Sequence, residues 1–235
     1  MDGLLEISLF LLATFAAALV AGLAGFAFGL VAAAVWLHIL DPLQTAALII
    51  GFGLVVQGYA VWKLRRALSL HRLLPFLLGA AFGVPAGVAI LEIAKPAWVR
   101  AGVGIVLVLY SLYALGRPAV KPIKAGVGFL NGILGGMTGL AGILVTIWCG
   151  LRRWNKDEQR AVFQPVGVAI FAMSALWLGA GGVVSAATVR LFVIGLPVLL
   201  VGTWVGLKLY GSLDETGFRK IVLILLLVSG VALLF

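Results

Sequence analysis

Three carboxamides sit where an apolar chain can least tolerate polar groups. Asn131 opens "NGILGGMTGLAG" (131–142), Gln57 lies within "GLVVQGYAVW", and Gln164 precedes Pro165 in "RAVFQPVGVAI". A primary amide supplies two N–H donors and one acceptor, but no charge, acid or nucleophile. Around Asn131 stand Gly132, Gly135, Gly136, Thr138 and Gly139. Glycine loosens a helix and lets a bound group approach the main chain closely. Backbone amides at the start of a half-helix carry partial positive charge, so this set is suited to holding a small anion by hydrogen bonds alone. The same spacings have a plainer use. Gly135 with Gly139, and Gly25 with Gly29 in "AGLAGFAFG" (21–29), are four apart, which lets helices pack tightly. A buried Gln likewise serves as a helix–helix hydrogen bond as readily as a substrate contact.

Other chemistry lacks its residues. The acidic side chains Asp2, Glu6, Asp41, Glu92, Asp157, Glu158, Asp214 and Glu215 all fall at segment ends or in loops, as do His38 and His71. A mid-membrane proton relay is therefore not expected. No His, Cys and carboxylate cluster is spaced for a metal, and no Ser/His/Asp set for hydrolysis. The chain reads as a non-enzyme without cofactor or metal. Cys149 stands alone and reads as a small packing residue, with no internal disulfide. Thr14, Ser111, Thr146, Ser174 and Thr203 are expected to bond carbonyls of their own helices. Trp177 and Trp204 lie deeper than the other tryptophans and read as cavity-lining or packing residues.

The elements that must position these groups are membrane helices. Of 235 residues 63% are hydrophobic and 11% charged, with mean hydropathy +1.21, where a soluble domain carries roughly twice that charge. Apolar segments run Leu4–Leu40, Pro42–Trp62, Leu73–Leu91, Trp98–Leu115, Ala125–Leu151, Ala161–Gly182, Leu191–Leu209 and Phe218–Phe235. A net charge of +9 comes from short basic clusters between those runs, the pattern of cytoplasmic loops rather than of nucleic-acid binding. "MDGLLEISLF" has no basic region ahead of its apolar run and does not read as a signal peptide. Straight helix over 4–40 would run ~55 Å, nearly twice the hydrocarbon core, so a break or hairpin is expected at 21–29. Pro165 is expected to break or kink the helix that carries Gln164.

The chain repeats itself. "AGLAGFAFGLVAAAV" (21–35) aligns with "NGILGGMTGLAGILV" (131–145), matching Gly22 with Gly132, Gly25 with Gly135 and Gly29 with Gly139. "PFLLGAAFG" (75–83) resembles "PVLLVGTWVG" (197–206) with a one-residue slip. The fold class expected is an all-α polytopic membrane protein of two four-segment repeats, each a Gly-broken or re-entrant first segment plus three transmembrane helices. The repeats span 1–116 and 125–235, joined by a basic cytoplasmic linker at 117–124.

Charge decides the topology. If 125–151 crosses fully, Lys and Arg divide 8 against 9 between the two sides. If it enters and leaves on one side, only Lys95, Arg100 and Arg190 lie opposite the other 14. The second arrangement obeys the positive-inside rule and makes the repeats inverted, the architecture of many secondary transporters. It places every Lys and Arg outside the membrane interior, leaving amide dipoles to hold an anion. Candidate binding residues are then Asn131, Gly132, Gly135, Gly136, Thr138 and Gly139 from the second copy, Gly22, Gly25 and Gly29 from the first, and Gln57 and Gln164.

The Gly-rich openings, "RAVFQPVGVAIFAMSAL" and the ending "LPVLLVGTWVGLKLYGSLDETGFRKIVLILLLVSGVALLF" resemble the TauE/SafE sulfite exporter family over nearly the whole chain. That resemblance implies a multi-pass permease of the inner (plasma) membrane, moving sulfite, sulfoacetate or related organosulfonates. "GLAGFAFG" departs from the family in carrying two phenylalanines where members are often richer in glycine, which narrows that half of a site. The reading is a secondary transporter of small sulfur-containing anions, exporting by alternating access. Its rivals are an anion channel and a non-transporting scaffold or assembly protein. The partners expected are a small anion and the lipid bilayer, with no nucleic acid; a homo-oligomer is compatible with the sequence.

Overall fold

Two nine-residue half-helices interrupt the long helices of this chain. The structure, a computed structural model, describes residues 3–64, 68–93, 105, 108, 124–138, 142–152, 154–180 and 185–234. Among them are nine helices and no strand: α1 (Leu4–Ala24), α2 (Phe28–Trp36), α3 (Pro42–Leu64), α4 (Leu70–Ile93), α5 (Lys124–Thr138), α6 (Ile143–Leu151), α7 (Lys156–Ala180), α8 (Ala186–Ser212) and α9 (Glu215–Leu234). Five of these, α1, α3, α4, α7 and α8, are long and apolar enough to cross a membrane, so the chain is a polytopic helical membrane protein. The span expected at 98–115, with Ser111, lies outside the described residues except at 105 and 108, as does the linker before residue 124.

Contacts set the directions. Arg72 near the start of α4 pairs with Glu158 near the start of α7 at 3.2 Å. The Tyr210 hydroxyl near the end of α8 donates to Asp157 at 2.5 Å, and Arg160 donates to the Gly22 and Leu23 carbonyls near the end of α1. Thus α1 and α8 finish where α4 and α7 begin, at the basic end of the bundle. Gly53 and Gln57 of α3 lie against Phe171 and Gly167 of α7, so α3 runs antiparallel to α7. Gly128, Gly132 and Gly136 of α5 meet Phe76, Ala80 and Val84 of α4 in the same order, so these two run parallel.

Two parallel pairs form the tightest packing. In the first, a Cβ on Gly22 of α1 would lie 2.6 Å from the Thr203 carbonyl of α8, and one on Gly202 2.8 Å from the Phe15 carbonyl. In the second, a Cβ on Gly136 of α5 would lie 2.7 Å from the Val84 carbonyl of α4. Apolar surface gains little by leaving lipid for protein, so backbone-to-backbone contact through small residues supplies the holding force.

Both half-helices fold back along the helix before them. Trp36, the last residue of α2, stacks on Phe10 early in α1 at 5.1 Å between ring centroids, and Phe28 and Phe52 close on the same indole. Trp148 in α6 meets Phe76, which itself covers Gly128 in α5. Each hairpin therefore returns toward the end it came from. At about 13 Å, the nine residues of α2 or α6 span less than half the hydrocarbon core.

Helix continues through the glycine pair 135–136 because the bare face of Gly136 is filled by α4; it is described to Thr138 and resumes at Ile143. Three expectations change. Pro165 does not break its helix: α7 runs unbroken from Lys156 to Ala180, and α4 and α8 likewise absorb Pro75, Pro85 and Pro197. Trp177 and Trp204 lie on the outer surface of the bundle, not in its interior. Thr14 and Thr146 do bond their own helices, to the Phe10 and Gly142 carbonyls, whereas the buried hydroxyls of Ser174 and Thr203 have no partner.

Candidate functional site

Both breaks arrive at one turn of α7. α1 stops at Gly25, whose φ of 92° lies in the left-handed region and whose N–H bonds the Ala21 carbonyl at 2.7 Å. A Cβ at Gly25 would lie 2.8 Å from the Phe163 ring and 2.9 Å from the Gln164 amide nitrogen. Phe26 meets Phe163 edge to face at 6.0 Å. The second break resumes helix at Gly142, with φ 112°, and its bare face lies nearest the Phe163 carbonyl, at 3.9 Å. Phe163 and Gln164 thus stand between the two interruptions.

The amides gather around this turn. Asn131 is fully buried on α5, and its Oδ1 accepts the Leu144 N–H at 3.0 Å, serving the first turn of α6 across the break. That bond commits the oxygen and leaves the Nδ2 donors without a partner. Gln164 turns its nitrogen toward Gly25 and leaves Oε1 unpartnered. Gln57 of α3 lies against Gly167 of α7, three residues beyond Gln164, with its Oε1 also unpartnered. An unmade hydrogen bond at a buried amide costs ~1–3 kcal/mol, and such orphans commonly mark a place for water or ligand. The Asn131 Nδ2 donors are of the type that hydrogen-bonds an oxyanion, and a glutamine amide presents donors in place of its idle oxygen when it flips.

Other candidates lie elsewhere. Gly22, Gly132 and Gly136 are covered by backbone of α8 or α4, at Thr203, Ala80 and Val84 respectively. Gly29 and Gly135 are buried within α2 and α5. Gly139 and the side chain of Thr138 lie outside the described residues. No group of His, Cys, Asp and Glu that could hold a metal occurs among the described residues.

One residue was misplaced by sequence reasoning. Arg160, assigned there to a solvated loop, is 2% exposed, four residues before Gln164 on α7. Its guanidinium covers the Tyr210 ring at 3.7 Å from the centroid and donates to the last-turn carbonyls of α1. Arg160 is thus buried within the protein and not solvated in a loop. A signal was available: Arg160 and Gln164 are one helical turn apart and share a face.

No curated protein and no solved structure matches the chain significantly. Residues 10–233 match the model of the family described as Sulfite exporter TauE/SafE, over nearly the full length of this broken-helix bundle, and the chain belongs to that family.

Proposed function

We propose that this member of a membrane transporter family is a secondary transporter of small sulfur-containing oxyanions such as sulfite or organosulfonates, exporting them across the inner membrane by alternating access. One observation carries the reading: two helix breaks meet one turn of α7 where three buried amides retain unmet hydrogen-bonding groups. In transporters, discontinuous helices paired in this way form the substrate site. Asn131, Gln57 and Gln164 are the proposed side-chain contacts, with Gly25 allowing close approach to backbone.

Inverted repeats supply the proposed motion. α1 leans on α8 as α5 leans on α4, with Gly22 facing Gly206 in one pair and Gly132 facing Gly83 in the other. These partnerships match the aligned halves of the sequence, and the two pairs point in opposite directions. Rocking one pair and its hairpin against the other would expose the amide turn to each side alternately. An inside-negative potential favours anion exit by ~2.3 kcal/mol per charge per 100 mV, so export needs no coupling ion.

Purified protein in proteoliposomes, loaded with radiolabelled sulfite or a small sulfonate, tests this. Saturable efflux that unlabelled substrate competes is the expected result. Linear, non-saturating efflux would identify a channel, and no flux of any anion would sink the transport reading.

A further inference from the structure

We propose that Arg160 is the gating residue at the basic end: its guanidinium clamps the broken end of α1, and a permeating oxyanion releases the clamp by drawing the guanidinium to itself. This rests on the transport reading above. Arg160 Nη2 donates to the Gly22 carbonyl at 2.5 Å and the Leu23 carbonyl at 3.1 Å. Both belong to the last turn of α1, whose carbonyls lose their intrahelical partners at the break and carry the negative end of the helix dipole. A buried cation is costly unless paired, and here the partners are dipoles rather than a carboxylate. Asp157 is reached only through Tyr210, whose ring lies under the guanidinium and whose hydroxyl bonds that carboxylate. Arg160 Nε is buried with no partner at all.

Position makes this clamp a gate. Arg160 lies one turn, ~6 Å of helix, from Gln164 toward the basic end and on the same face. An oxyanion approaching the amides from that end meets the guanidinium first. A guanidinium presents parallel N–H donors that match two oxygens of one anion, a stronger partnership than two neutral carbonyls. Once the guanidinium turns, its bonds to the end of α1 are lost and the break is free to separate. The clamp ties the α1–α8 pair to α7, whose Glu158 pairs with Arg72 of α4 in the other pair, and a rocking motion must part it there.

The test uses the full-length protein in liposomes with one reporter thiol, Ala27→Cys in a Cys149→Ala background, Ala27 being fully buried beside the break. A charged, impermeant thiol reagent is applied at the basic end. Labelling should be slow in the parent, faster with sulfite present, and raised ~10-fold by Arg160→Gln without any anion, the population shift expected on losing a clamp. Arg160→Lys keeps the charge but loses the fork, so KM for sulfite should rise ~10-fold with kcat changed less than about twofold. Parent-like labelling in Arg160→Gln, or an unchanged sulfite KM in Arg160→Lys, overturns the proposal. If Arg160→Gln does not fold, the Arg160→Lys KM decides. A wild type with no sulfite flux defeats the transport reading separately, while the labelling arm still tests the clamp.

Discussion

At Asn131 one side chain divides two duties between its two atoms. Its oxygen completes the first turn of α6, while its nitrogen points donors at nothing. Substitution can separate these. Asn131→Asp keeps the acceptor for the Leu144 N–H but removes the donors and sets a negative charge in an anion site. It should leave the thermal midpoint in detergent within a few degrees of wild type while cutting sulfite flux ~100-fold or more, as expected for an anion contact replaced by a like charge. Asn131→Ala loses both roles, and its stability should fall by the ~1 kcal/mol typical of a missing cap. Wild-type flux through Asn131→Asp would show that the residue is only a cap. Gln57 and Gln164 share the pattern of a buried amide with an idle oxygen, but neither supports a helix terminus, so their loss should touch flux more than stability.

Helices in this protein meet through glycine, and the facing element decides what each glycine does. Gly83 of α4 has the Phe129 carbonyl on its bare face and the Ile133 nitrogen 3.0 Å from where a Cβ would sit. Gly83→Val would force α4 from α5, costing more than the ~1–3 kcal/mol of ordinary overpacking because backbone cannot swing aside as a side chain can. Size-exclusion chromatography should show aggregation or loss of the monodisperse peak. Gly58 in the middle of α3 has open space around it, so Gly58→Ala should leave that peak unchanged or sharpen it, adding up to ~1 kcal/mol of helix propensity. If both substitutions behave alike, the glycine stripe is not what joins α4 to α5.

For the molecule as a whole, the ends of the helices sort into two faces. Arg72 meets Glu158, and Glu215 bonds the Lys156 N–H at 2.8 Å, so the starts of α4, α7 and α9 share the basic end, while Ser185 and Arg190 begin α8 at the other. Single cysteines at Ser69, Asn155 and Ser212, in a Cys149→Ala background, should all label from the cytoplasm, and one at Ser185 from outside. Labelling of Ser69→Cys and Asn155→Cys from opposite sides would restore a full crossing at 125–151 and end the inverted-repeat reading.

Much of this was legible in the residues before any fold was known. Apolar run lengths bound the spans to the ~30 Å of a bilayer, excess length demanded a break near Gly25, and the repeated glycine pattern foretold a second one. Those are local properties, since hydrophobic length and glycine's loose backbone act within a few residues. What the tertiary structure decided was assignment. Gly22, Gly132 and Gly136 pack and Gly25 turns, although the four look alike in the sequence, because only a facing helix tells a bare surface that is filled from one that is not. Arg160 became a buried clamp because α7 starts at Lys156, early enough to carry it a turn inward. That start is held partly by Asn155, whose Oδ1 takes the Glu158 N–H, and partly by Glu215, 59 residues away. A helix boundary set by so distant a carboxylate cannot be read from neighbouring residues, and with it went the one buried charge found among the described residues.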